Sequence, residues 1–290
     1  MKKNFSKVFI VFLSIFMLFI LTSQTADIIK MADEYYLKDN FQEAYNVLKK
    51  AYDSGNKDYE ILWRLARATK NLVNKELETK DKKKAIAIYE EAQKYAEEAN
   101  KVKPQNDMGH YWLAAVYGSI GMLKGVLNAV ALMDPMEKEA RLAIDYNKNF
   151  GDAYFLIANL YYKGRAALPF ANKDNAYIIA FSFMYKAIEL AESKAYETDI
   201  LSLMYKDFIF FLTNRKYSLD KVVKMWEEAK KNFNNAKDPY EKMKYYYGSL
   251  PQPTKDDISL AKEIFEKLLA LPELHRWDKE AKAEAKDMLK

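Results

Sequence analysis

Catalysis and metal binding need side chains that ionise, ligate or attack, and this sequence brings few of them into useful spacing. It contains two histidines, His110 and His275, and no cysteine. The two are far apart and have no thiolate to complete a ligand set, so a zinc site of the usual kind is not expected. His110 lies four residues before Ala114, where a helix packs its larger side chains, and reads as a core or interface histidine rather than a ligand or base. The carboxylate pairs Glu90 with Glu91 and Glu97 with Glu98 alternate with lysines, the pattern of solvated helix faces. A glycine-rich phosphate loop, an H-E-x-x-H helix and a G-x-S-x-G elbow are all missing from the sequence. The expectation is a non-enzyme: no catalytic residue, no metal and no cofactor.

What remains is recognition, and recognition depends on the elements that present it. With 290 residues, 50% hydrophobic and 30% charged, the chain can bury a large core. Eight glycines and seven prolines are too few for a fold that turns every ten residues, so helices must dominate. The formal charge is +5, and Lys2, Lys3 and Lys7 account for three of those charges. Beyond them basic and acidic residues interleave, without the one-signed stripe that a nucleic-acid binder requires.

Small residues recur at fixed distances. Ala32 and Ala66 lie 34 residues apart, with Phe41, Ala44, Leu48 and Ala51 between them. Ala92 with Ala99, Met136 with Ala143, and Ala180 with Ala187 repeat the second pair. Ala51 to Ala66, Ala99 to Ala114, Ala143 to Ala158 and Ala187 to Ser202 are each 15 residues apart. Three residues after the leading small position come Tyr35, Thr69, Tyr117, Tyr161 and Tyr205. A small side chain lets two helices approach, and an aromatic one turn later fills the space beyond.

These residues resemble the tetratricopeptide repeat, two antiparallel helices in about 34 residues. The resemblance implies an all-α, tetratricopeptide-type helical-hairpin solenoid over residues 27–290. It would comprise about five hairpins, a degenerate C-terminal repeat and a polar capping helix from Asp278 to Lys290. The second repeat carries 14 extra residues around Asn71 to Lys84, and the third and fourth about 10 each, all falling on one edge. Helix starts are expected at Asp134-Pro135, at Asp238-Pro239 and at Thr254 with Asp257.

In such repeats the first helices line a concave groove. The inward positions correspond to Asp33, Tyr36, Trp63, Arg67, Lys70, Tyr111, Phe155, Asn159 and Tyr162. Aromatics with an arginine and an asparagine suit a recognition surface, and binding is weighed slightly ahead of simple packing. The segment from Gly118 to Pro135 is the most apolar after the N-terminal run. Its Leu123, Val126, Leu127, Val130 and Ala131 read as a short extra helix, either a lip for a partner or, the expected arrangement, packed down over the groove.

Residues 1–26 have a basic start, an apolar run from Val8 to Leu21 and a small polar stretch, the anatomy of a signal peptide, with an N-terminal membrane anchor as the alternative. Both predict an exported chain, periplasmic or secreted.

Five segments, ILWRLARATKNL, GHYWLAAVYGSIGMLKGV, GDAYFLIANLYYKG, LPFANKDNA and LPELHRWDKEAKAEAKDMLK, resemble bacterial tetratricopeptide proteins similar to the eukaryotic regulators of microtubule dynamics. More distantly they resemble the T component of tripartite ATP-independent periplasmic transporters. The first resemblance implies shared architecture. The second implies a periplasmic protein that associates with a transporter's solute-binding subunit. Two functions stand open on this reading: a scaffold that binds a protein or peptide in its groove and insertion edge, and a transport accessory that holds a small apolar ligand under Met122 to Met133.

Overall fold

The computed structural model describes residues 25–169, 171–195, 198–238, 242 and 250–290. The apolar run Val8 to Leu21, most of the expected signal segment and the helix start at Pro239 lie outside these. Among the described residues the secondary structure is entirely helical, and it forms the hairpins that the repeat predicts. The chain divides into two compact units at Pro104 and Gln105.

In the first unit, α1 (25–37), α2 (Phe41–Asp53), α3 (Tyr59–Asn71), α4 (Lys75–Lys80) and α5 (Lys82–Val102) follow one another. Each start after α1 is fixed by a side-chain cap. Asn40, Asp58, Asn74 and Asp81 accept hydrogen bonds from the amides of Glu43, Glu60, Leu77 and Lys84. α2 packs on α3, and α3 on α5. The small residues sit at these seams as expected: Ala32, Ala44, Ala51, Ala66, Ala92 and Ala99 are all buried. The extra residues after Asn71 form α4 and the start of α5, and Tyr89 of α5 donates to Glu78 of α4 at 2.8 Å. Gly55, in the turn from α2 to α3, has φ 91°, where a side chain would be strained.

The second unit contains α6 (Met108–Lys124), α7 (Val126–Tyr146) and α8 (Gly151–Asn159), the last continued by a π turn at Leu160–Gly164 and a 3-10 turn at Arg165–Ala167. α9 (Lys173–Glu192), α10 (Leu201–Arg215), α11 (Leu219–Asn235), α12 (Asp257–Ala270) and α13 (Arg276–Met288) follow. α6 pairs with α7 and α8 with α9, while α10 is clasped by α12 and α13. Ala114, Ala143, Ala158, Ala180, Ala187 and Ser202 are buried at the contacts. Of the residues that follow the leading small positions, Thr69, Tyr161 and Tyr205 are buried and Tyr35 and Tyr117 half-buried.

Two expected boundaries are corrected. No helix begins at Pro135; α7 runs from Val126 through it. The break comes at Gly125 (φ 92°), and the proline, whose φ suits a helix, costs one interior hydrogen bond. At α12 the cap is Asp256, which accepts from the Ser259 amide at 2.8 Å, rather than Thr254. Asp257 is turned inward instead.

Glycine and methionine together fit α6 to α7 and the π turn. A Cβ at Gly121 would lie 3.2 Å from the Ala129 Cα, so these helices meet backbone to backbone. The Met136 methyl would be 3.3 Å from a Cβ at Gly118, and that of Met133 3.1 Å from one at Gly164. The thioethers fill spaces that any other residue at those glycines would occupy.

Candidate functional site

In the first unit α1 and α3 bring most of the expected groove residues together. Asp33 and Arg67, 34 positions apart, form an ion pair through Oδ1 and Nη2. Arg64 Nε donates to both Asp33 oxygens, at 3.0 and 2.9 Å. Arg64 Nη1 reaches Glu60 Oε2 at 2.5 Å, and Trp63 Nε1 donates to the same oxygen at 2.9 Å. The Arg67 guanidinium lies 3.8 Å from the centre of the Tyr36 ring and 5.0 Å from that of Trp63, while Arg64 covers Trp63 at 4.0 Å. Asn71 donates to the Tyr36 hydroxyl at 3.2 Å.

Trp63 and Tyr36 are only 5% and 8% exposed. They support the arginines rather than offer open ring faces, so the outer layer of the cluster is ionic. Lys70 stands one turn beyond Arg67 on α3. Burial lowers its pKa, and Glu78 opposes that only through space. Sequence reasoning missed Arg64, Glu60 and Asn71. The first two carry a signal of their own, an acid and a base four residues apart on one helix.

The expected residues of the second unit are taken up mainly by packing. Tyr111 is buried against Phe150, with ring centres 4.8 Å apart. Phe155 packs on the core. Asn159 donates back to the Phe155 carbonyl of its own helix at 3.3 Å. Tyr162 rests edge-on against Phe211 at 4.8 Å, and burial raises its pKa.

The apolar segment departs from its expected place. Met122, Val126, Leu127 and Val130 are 82%, 77%, 87% and 40% exposed, and Leu123 is half-buried, so the segment is not packed down. Because Gly121 and Ala129 draw the helices into backbone contact, side chains at the end of α6 and the start of α7 are carried on an outer face.

An unforeseen cluster lies where α7 meets the π turn. Glu137 Oε1 accepts from Arg141 Nε at 2.9 Å and Nη2 at 2.6 Å, and from the Tyr161 hydroxyl at 2.9 Å. Its Oε2 accepts from Arg165 Nε at 3.1 Å and Nη2 at 2.6 Å, and Arg165 Nη2 also reaches Asp134 at 2.6 Å. Burial works to raise the Glu137 pKa, but Arg141 and Arg165, with the Tyr161 hydrogen bond, hold it below the usual glutamate value. The balanced charges tie α7 to the turn without activating a nucleophile. His110 is buried and paired with Glu139 at 2.5 Å. His275 stacks on Trp277 at 4.8 Å and caps α13. Among the described residues, no group of three or more His, Cys, Asp or Glu side chains is placed to hold a metal.

Residues 28–179 match the family described as regulator of microtubule dynamics protein 1-3. The chain is similar to regulator of microtubule dynamics protein 1 of Mus musculus, 26% identical over 213 residues, covering 70% of this chain and 68% of that protein. The protein of the same name from Bos taurus is 27% identical over 121 residues, or 42% of this chain and 37% of its own length. That of Pongo abelii is 26% identical over 126 residues, or 43% and 39%.

These relatives correct the expectation of an exported, periplasmic or secreted chain and of an inner-membrane anchor. They are mammalian proteins named for the dynamics of microtubules, which are polymers of the cell interior, and mammalian cells have no periplasm. Among the described residues no helix is long and apolar enough to cross a membrane.

Proposed function

Because the chain belongs to the regulator of microtubule dynamics protein 1-3 family, we propose that it is a non-enzymatic interaction module that receives a protein or peptide partner on the α1 and α3 face of its first unit. The observation that carries this reading is the prearranged ionic layer of Asp33, Glu60, Arg64 and Arg67 over the buried Tyr36 and Trp63. Charged groups held by packing and by one another lose little freedom when a partner docks, so their directionality goes into selectivity and association rate.

The names of the relatives make microtubules the first partner to try. The test is co-sedimentation of the full chain with assembled microtubules, and capture of tubulin from solution, for wild type and for Arg67→Ala. Retention that falls in the variant while its helicity and melting temperature hold supports the face. Equal retention of both proteins would place the contact elsewhere, and no retention of either would remove microtubules as the partner.

A transport accessory would have to shelter an apolar ligand beneath the Met122 to Met133 segment. With Met122, Val126 and Leu127 in solvent, that reading has lost the cover it needed.

A further inference from the structure

The end of the hairpin formed by α6 and α7 belongs to the second unit and has no part in the α1 and α3 face. The two helices are joined by Gly125 alone, whose φ of 92° lets the chain reverse between Lys124 and Val126. Where they meet backbone to backbone, at Gly121 and Ala129, no room is left between them for larger side chains. Met122, Val126, Leu127, Val130 and Ala131 are therefore held in solvent by the geometry of the hairpin itself. Charge is distributed with the same bias. Between His110 and Asp134 the single charged residue is Lys124, in a chain that is 30% charged, and it stands exposed at the apex. Asp134, the first acid along α7, lies about 12 Å from Val126 along the helix axis, and it is paired with Arg165 at 2.6 Å.

Size, depth and charge together select what covers this apex. Four large aliphatic side chains offer roughly 300–400 Å² of apolar surface, about half of what each partner contributes to a stable protein interface, so a second copy of this chain is a poor fit. The exposed face from Val126 to Val130 rises about 6 Å, within the 5–10 Å to which amphipathic helices enter the boundary between lipid headgroups and acyl chains. A lysine at the apex, with no acid between Asp107 and Asp134, complements the negative surface of an anionic leaflet. We propose that the apex docks tip-first on an anionic phospholipid bilayer, with Met122, Val126, Leu127 and Val130 entering that boundary and the Lys124 ammonium held among lipid phosphates. The aliphatic stem of Lys124 lets its charge stay at headgroup level while its neighbours sit deeper. This surface does not depend on the partner-binding reading of α1 and α3.

The test is flotation of the full chain with vesicles of phosphatidylcholine mixed with phosphatidylserine, and with vesicles of phosphatidylcholine alone. Wild type is expected to float with the mixed vesicles. Leu127→Asn should weaken that binding at least about tenfold, and Lys124→Gln about fivefold, with circular dichroism of both variants at the wild-type level. Because the sequence has no cysteine, Leu127→Cys takes a single polarity-sensitive dye, whose emission should shift to the blue on the mixed vesicles. Absence of wild-type flotation, or flotation that Leu127→Asn leaves unchanged, overturns the proposal. Equal binding to both kinds of vesicle overturns the role given to Lys124 and to lipid charge. A dye that shifts with rising protein concentration in the absence of lipid makes the apex a contact between copies, and one that responds to assembled microtubules but not to vesicles makes it a protein contact; either result refutes docking on a bilayer.

Discussion

Replacing Asp257 with asparagine should abolish a pH dependence of stability that the wild-type protein shows between pH 7.5 and 5. The Asp257 carboxylate is buried at the start of α12, where Oδ1 accepts from the Tyr177 hydroxyl at 2.5 Å and Oδ2 from the Tyr217 amide at 2.8 Å. Burial pushes its pKa up to about 6 from 3.8, because the two hydrogen bonds only partly offset the lost hydration and Asp256 adds a like charge. The folded state therefore holds a proton that the unfolded chain releases, and stability rises as pH falls through 6 and levels off near the unfolded value. At pH 5 the gain over pH 7.5 is about 1.4 kcal/mol, close to tenfold in the folding constant. Asparagine loses the charge but keeps the partners: its carbonyl oxygen can accept from Tyr217 while its amide donates to a rotated Tyr177 hydroxyl. Urea unfolding of both proteins at several pH values in this range measures the effect, and taking their difference cancels the histidines and other carboxylates. If the two curves run parallel, the Asp257 carboxyl is not held above its ordinary range and the reasoning is wrong.

Two further substitutions probe other regions. Glu137→Ala leaves the buried Arg141 and the half-buried Arg165 around a missing carboxylate and should cost about 3–5 kcal/mol in chemical denaturation, more than a cavity of that size alone would explain. Leu127→Lys replaces an exposed side chain and should leave stability within about 0.5 kcal/mol of wild type; a large loss in a thermal melt would mean that the segment is covered after all.

The parts of this fold that are legible in the sequence are those fixed by short-range geometry. Two helices that touch require small residues at the contact, and Ala32, Ala66, Ala114, Ala158 and Ser202 are found buried where that spacing puts them. The groove was half legible. The 34-residue separation of Asp33 and Arg67 places them side by side, but whether an aromatic faces solvent or core depends on neighbours contributed by other helices. Tyr36, Trp63 and Tyr111 consequently turned inward. The Glu137 cluster was hidden for a similar reason: its partners come from α7 and from the π and 3-10 turns after α8, which shift side chains away from the positions that an uninterrupted helix would give them. The exposed tip at Leu127 is not legible in the sequence, because apolar composition is silent on exposure where the close approach of Gly121 to Ala129 leaves those side chains on an outer face.

The methionine and glycine contacts between α6, α7 and the π turn determine how this protein meets oxidants. A chain without cysteine leaves methionine as the sulfur open to attack. Met122, in solvent, can become a sulfoxide at little structural expense, whereas an added oxygen on Met133 or Met136 would have to enter the spaces that Gly164 and Gly118 leave for a bare methyl group. Oxidation of the outer thioether would thus leave the hairpin intact, whereas damage to the inner pair would be both the mark of an opened hairpin and an obstacle to its closing again.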